Sequence, residues 1–339
     1  MIADEATFNE EYLYECRETL QNVLSDSVYN VRVCFGIYRT DNMNESLSFM
    51  CDKASFAVAS IKDDTHSFIA YYDDTMLEAA IKYKTIVDEF DDAIKAGEFK
   101  MYLQPQISAK TRRLTGAEAL VRRIKPDGTI ISPIDFIPVY EKSGLISRLD
   151  RYIWEQAAAK LGEWKKAGIN MSISVNISPK DFYYIDIFNT FAGLIKKYDI
   201  EPSNLKIEIT ETTIMSDVPN LMGELEELRK AGFTLEMDDF GSGYSSLNTL
   251  KDINVDVLKV DMGFIKETKN VKKSRIILAS VIKMAKELNL LIITEGVETE
   301  EQVDNLTKLG CDVFQGYYFS KAIDVNEFEK RYLYRKKAG

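Results

Sequence analysis

From Glu98 onward, short apolar runs alternate with helical segments, and that alternation leaves few architectures open. The runs fall at 99–104, 114–120, 171–175, 205–209, 233–237, 255–260, 290–294 and 312–314. Helical periodicity covers 147–167, 188–198, 218–231, 272–288 and 299–309. Eight strands interleaved with helices over about 240 residues is the size of a (β/α)8 barrel. One spacing departs from the regular form. A polar turn at 108–113 is nearly all that separates Gln104 from Leu114, whereas a parallel crossover needs about a dozen residues or more. The first two strands should therefore be antiparallel. The fold expected is α/β, a TIM-like barrel with one antiparallel strand, although a doubly wound open sheet shares the same periodicity.

Residues 1–72 read as a small α+β segment, with helices at 10–24 and 47–59 and strands at 31–38 and 67–72. Asp73 or Asp74 is placed to cap a connector helix over 73–96 that Gly97 stops, which leaves 97–339 for the barrel. Charge follows the same division. Residues 1–96 hold 8 basic and 19 acidic side chains, which accounts for the whole net charge of −11. An acidic chain whose main domain is neutral excludes a nonspecific binder of nucleic-acid polymers, which needs a basic face. No apolar run approaches the roughly 20 residues of a membrane span, and no signal peptide opens the chain, so a cytoplasmic protein without membrane contact is expected. Cys16, Cys34, Cys51 and Cys311 form no CxxC pair and read as reduced, mostly buried thiols. The single histidine, His66, excludes the usual histidine-rich zinc site. Any metal chemistry must rest on oxygen ligands.

In a barrel of this kind, the C-terminal ends of the strands build the active site. Those ends carry Glu118, Asn176, Glu208, Asp238 with Asp239, Lys259 with Asp261, Glu295, and Gln315. One such residue alone reads as a helix cap or a solvated charge. Their recurrence at one structural position does not, because Glu, Lys and Gln are poor caps. Carboxylates converging at one mouth repel unless cations neutralise them or some take up protons. Oxygen donors select hard cations, Mg²⁺ or Mn²⁺. The adjacent Asp238 and Asp239 suggest a carboxylate shared between two ions, the arrangement for in-line phosphodiester displacement. Lys259 adds a point charge beside a water or a phosphate oxygen.

These residues stand in a specific context: Leu103-Gln104-Pro105, Glu118-Ala119-Leu120-Val121-Arg122, Ser174-Val175-Asn176, Glu208-Ile209-Thr210-Glu211, the loop from Asp238-Asp239-Phe240-Gly241-Ser242-Gly243 to Leu247, Lys259-Val260-Asp261, Glu295-Gly296-Val297-Glu298 and Gln315-Gly316-Tyr317. In this order, over 97–334, they resemble the EAL domain family of cyclic di-GMP phosphodiesterases. The resemblance implies a barrel with one reversed strand and metal-dependent hydrolysis of cyclic di-GMP to linear pGpG, with two Mg²⁺ or Mn²⁺ ions per site. It implies metal ligation by Glu118, Asn176, Glu208, Asp238, Asp239 and Glu295. Lys259 and Glu298 would be catalytic, and Gln104, Leu120, Arg122, Asp261 and Gln315 would contact the dinucleotide. Glu211 and Ser242 would stabilise a loop shared by the second metal site and a homodimer interface. Departures from the family pattern are Ser242 for Thr, Thr294 for Ala and Ala322 for Pro; none removes a ligand. The alternatives are a cyclic di-GMP receptor or scaffold without turnover and, against the lack of a second base opposite Lys259, an enolase-like lyase.

The runs Cys34-Phe35-Gly36-Ile37-Tyr38, 52–57 and Tyr72-Asp73-Asp74-Thr75-Met76 resemble the C-terminal half of a GGDEF diguanylate cyclase domain. The chain has no Gly-Gly pair, and Asp88-Glu89-Phe90 lacks the glycines that let a backbone approach phosphate. A truncated unit without cyclase activity is expected. Trp154 and Trp164 read as core, His66 as solvated, and Pro133 and Pro138 as loop or first-turn residues.

Overall fold

The computed structural model describes residues 8–24, 32–40, 42, 44–62, 64, 66–216, 218, 220–241, 250–251, 253–261 and 271–334. The chain divides into two compact units, Met1–Glu89 and Phe90–Gly339.

In the first unit, strands β1 (Phe35–Ile37) and β2 (Ile69–Tyr71) pair in parallel. Helices α1 (Glu10–Leu24), α2 (Leu47–Ser60) and α3 (Asp74–Asp88) accompany them. Gly36 passes so close to α2 that a Cβ there would lie 1.9 Å from the Ala54 carbonyl oxygen. Asp73 caps α3 by accepting from the Thr75 N–H at 2.8 Å. The helix does not run on to Ala96. It closes at Glu89, whose N–H reaches the Thr85 and Val87 carbonyls, and a separate short helix, α4 (Phe90–Lys95), opens the second unit. The strands are also shorter than their apolar runs.

The second unit is a closed barrel of strands β3 (Phe99–Ser108), β4 (Leu114–Ile124), β6 (Ile173–Ile177), β7 (Leu205–Thr210), β8 (Leu235–Asp238), β9 (Val257–Asp261), β10 (Leu291–Glu295) and β11 (Val313–Phe314), ordered β3-β4-β6-β7-β8-β9-β10-β11 and back to β3. Closure rules out the open sheet. β3 is antiparallel to both of its ring neighbours, and the other ring pairs are parallel. The reversal follows from the short turn, in which Ser108 N donates to Arg113 O at 2.9 Å and Arg112 takes a left-handed φ of 57°. Two short strands, β5 (Ile130–Ile131) and β12 (Ile323–Asp324), flank the ring by pairing with β4 and β3.

Helix Ile146–Lys166 lays Leu149, Ile153, Trp154, Ala157, Leu161 and Trp164 against the core, and both tryptophans are buried. Phe90, Phe99, Phe136 and Tyr140 form an aromatic cluster beside the start of β3. Helix Pro133–Ser143 starts on Pro133 as expected, but Pro138 sits inside it. Its fixed φ fits a helix, and the cost is one missing backbone donor. Of the cysteines only Cys311 is buried; Cys51 is exposed and Cys16 and Cys34 are half-buried, because the small first unit has little interior. His66 is exposed. Among the described residues, no helix is long and apolar enough to cross a membrane.

The turn after β6 hangs on buried groups. Trp154 Nε1 donates to Asn176 O at 2.9 Å, and the Ser178 N–H donates to Asp181 Oδ2 at 2.8 Å. Burial pushes the Asp181 carboxyl up to about 6, and burial with the neighbouring Asp181 raises Asp150 well above its ordinary value. A carboxyl raised on folding holds its proton more tightly in the native chain, so stability falls as pH rises from the unfolded value of about 4 through the folded value. Asp181→Asn keeps an acceptor for Ser178 and removes the buried charge. It should raise the melting temperature at pH 7.5 and flatten the decline between pH 4 and 6, followed by circular dichroism. An unchanged pH slope would show that Asp181 does not carry it.

Candidate active site

Side chains alternate along a strand, and the parallel barrel strands end together, so the inward residues near those ends face one another. Lys259, wholly buried on β9, stands at the centre. Its Nζ lies 2.9 Å from Glu295 Oε1, 3.0 Å from Glu208 Oε2, 3.3 Å from Asp238 Oδ1 and 3.4 Å from Glu118 Oε2. Asn176 Nδ2 donates to Glu118 Oε1 at 3.4 Å. Gln315 donates to Glu118 Oε2 and, at 3.2 Å, to Gln104 Oε1, while Gln104 Nε2 donates to the Ser320 carbonyl at 3.4 Å. Residues on or directly beside all eight strands of the ring thus form one polar cluster around the Lys259 ammonium.

The charge balance is one-sided. Burial alone would lower the Lys259 ammonium, but Glu118, Glu208, Glu295 and Asp238 hold it well above its ordinary value. Burial, with Glu118 next, raises the Glu208 carboxyl well above the usual range. Burial pushes Glu295 up to about 8 against the pull of Lys259, with Asp238 and Glu118 adding to the rise. Burial and the adjacent Asp238 raise Asp239. One cation does not neutralise this many acids, and the remainder calls for protons or further cations.

Asp239 stands beside the ring in a left-handed conformation, φ 55°, with its N–H on Asp238 Oδ1 at 2.9 Å. Glu211 Oε2 accepts from Gly241 N at 3.4 Å, which ties the start of helix Glu211–Ile214 to the segment after β8. Ser242, and the loop from there to Leu247, lie outside the described residues. Glu118, Leu120 and Arg122 share one face of β4 by alternation. The Arg122 guanidinium lies 6.0 Å from the Tyr102 ring centroid and donates to Val121 O at 2.7 Å. Asp261 ends β9, half-buried. Glu298 is exposed just ahead of helix Glu300–Leu309, and its backbone N–H donates to Gln302 Oε1 at 2.7 Å.

Gln106 belongs to the cluster although sequence reading passed over it. It is buried, and its Nε2 donates to Gln315 Oε1 at 3.3 Å. The signal was the period-two repeat Gln104-Pro105-Gln106, which puts both amides on one face.

The donors are oxygen throughout, the chemistry of a hard divalent cation. Glu208 Oε1 is buried with no hydrogen-bond partner, the condition of an oxygen built to meet a cation. Among the described residues, no group of three or more acidic, histidine or cysteine side chains stands ready around one ion. The carboxylates gather on the lysine, and a cation would share them with it.

The EAL domain family matches residues 87–322, and the chain belongs to that family. The signaling protein YkoW of Bacillus subtilis is 34% identical over 278 residues, 82% of this chain and 35% of that protein. The cyclic di-GMP phosphodiesterase PA2567 of Pseudomonas aeruginosa is 30% identical over 77% of this chain and 44% of its own length. Among solved structures, the PaMucR phosphodiesterase in its c-di-GMP complex is similar, with a TM-score of 0.67 and 32% identity over 72% of this chain and 99% of that one. The chain spans between a third and a half of the length of the curated relatives it matches.

Gly316, which follows Gln315, packs directly on the turn after β10. A Cβ there would lie 2.2 Å from Val297 O and 2.3 Å from Val297 N. Gly316→Ala must push that backbone aside, and should cost about 1–3 kcal/mol in urea unfolding. A variant as stable as the parent would show that the turn moves freely.

Proposed function

We propose that this chain is a cyclic di-GMP phosphodiesterase that opens cyclic di-GMP to linear pGpG. The observation that carries the reading is the ring of carboxylates around the buried Lys259 at the C-terminal mouth of the barrel. Family membership, and similarity to proteins named for this substrate, support it. By the resemblance, Glu118, Asn176, Glu208 and Asp238 would hold one Mg²⁺ or Mn²⁺ ion, and Asp238, Asp239 and Glu295 would serve a second. When bound, two such ions supply Lewis-acid charge at the phosphodiester and make water a better nucleophile.

The chain's own residues do the rest. Lys259 brings a preorganised positive charge to a scissile phosphate oxygen or to the attacking water. Gln104 and Gln315, already held in one amide network, orient the dinucleotide together with Leu120, Arg122 and Asp261. Glu298 is assigned a catalytic role by resemblance alone. By the resemblance, Glu211 and Ser242 would serve the loop that follows Asp239, and the chain would form a homodimer through the barrel. The N-terminal segment, residues 1–72, resembles part of a cyclase domain in sequence, and residues 73–96, divided between α3 and α4, lead from it to the barrel. Each assigned metal position keeps a ligating side chain, which favours turnover over a receptor role.

The decisive assay is incubation with cyclic di-GMP and Mg²⁺ with pGpG quantified. Product should form with Mg²⁺ or Mn²⁺, stop in EDTA and be inhibited by Ca²⁺, whose bonds are longer and geometry looser. Binding of cyclic di-GMP without product would assign the chain as a receptor.

Two substitutions separate ligand from catalyst. Glu118→Ala should weaken cation binding, and excess Mn²⁺ should restore part of the rate by mass action. Lys259→Ala should lower kcat by about 10²–10³, the scale of one preorganised electrostatic group, with no rescue by Mn²⁺. Metal titrations of both variants read the difference. Recovery of Lys259→Ala in Mn²⁺ would make the lysine a counter-charge only.

A further inference from the structure

Two residues before Asn176, Glu208 and Asp238, on the same inward faces of β6, β7 and β8, stand Ser174, Lys206 and Glu236. Barrel interiors are filled mostly by branched apolar side chains. The far side of this barrel obeys: two residues before Lys259, Glu295 and Gln315, the side chains of Val257, Ile293 and Val313 form an apolar cluster. The near side does not. Glu236 and Ser174 are wholly buried. Glu236 Oε2 accepts from Ser174 Oγ at 2.8 Å, and Oε1 meets Lys206 Nζ at 2.9 Å.

The register brings this pair against the ring. Glu236 is the direct strand neighbour of Glu208, and Ser174 lies between Glu118 and Lys206. Glu236 is therefore one more inward carboxylate beside the candidate ligands, and both of its oxygens are engaged away from them. Removing its negative charge would leave Lys206 uncompensated next to Glu208. A positive charge there opposes a cation; a neutral pair does not.

We propose that the Lys206–Glu236 pair sets the divalent-cation affinity of the carboxylate ring: Lys206 withholds Glu236 from the ligand set and cancels its charge beside Glu208. Ser174, Lys206 and Glu236 are then positioning residues. The inference rests on the reading of the ring as a divalent-cation site.

The test is calorimetric Mn²⁺ binding to the full chain, comparing the parent, E236Q and the double variant K206M/E236Q, with circular dichroism melts to follow folding. E236Q is isosteric; its amide accepts from Lys206 and donates to Ser174, so the fold is kept. E236Q should weaken Mn²⁺ binding by about tenfold, and the double variant, neutral again, should return to the parental affinity. That recovery is the readout that a purely structural role would not give. Parental affinity in E236Q overturns the proposal, and so does equal weakening in both variants; either leaves the ring standing as a cation site. A parent chain that binds no Mn²⁺ brings down the cation-site reading itself, and the tuning with it.

Discussion

The ammonium of Lys259 is the interaction on which the second unit turns. It is buried, it reaches Glu118, Glu208, Asp238 and Glu295 within 3.4 Å, and these acids come from five different strands with its own. Like charges at such range in a low-dielectric interior repel strongly. With the lysine removed, Glu118, Glu208, Asp238 and Glu295 would lose the one positive charge they share. The remaining features are responses to the same field. Glu208 and Glu295 hold protons above their ordinary range, and Gln315 donates to Glu118. The arrangement is tolerable in the folded chain because many other contacts, apolar for the most part, close the barrel around it.

Much of this was legible in sequence because parallel barrels write their geometry locally. Each strand is a short apolar run, and its inward register is fixed by alternation, so residues at successive strand ends identify one mouth without knowledge of any contact. The reversal of β3 was equally local, being set by a turn too short for a crossover. Other features left no such trace. β5 and β12 are two residues each, too short for any period to register. Pro138 reads as a loop or first-turn residue, yet it lies within a helix whose Phe136 and Tyr140 belong to the aromatic cluster, and that packing outweighs one lost backbone bond. The break at Glu89 has no proline or glycine to announce it.

Lys206 and Glu236 show a deeper limit. They are thirty positions apart, each is unremarked in its own strand, and nothing local says that they meet. Period two places them on inward faces, but only the stagger of β7 against β8 determines which inward residue faces which. Sequence reading reaches the set of inward residues and stops before their pairing. Gln106 was missed at the easier level, since alternation from Gln104 already pointed to it.

The pairing also separates function from support. Arg123, buried on β4, meets Glu98 at 2.9 Å, a base set against an acid. Removing the acid from that pair would leave a buried guanidinium uncompensated, which typically costs about 3–5 kcal/mol, so this pair serves the fold. The mouth is different: several carboxylates face one ammonium, and Glu208 Oε1 finds no donor at all. A fold selected only for stability would remove that excess, by replacing an acid or adding a second base. Its place at the ends of the parallel strands, where barrels carry their chemistry, is what supports reading the mouth as the candidate site.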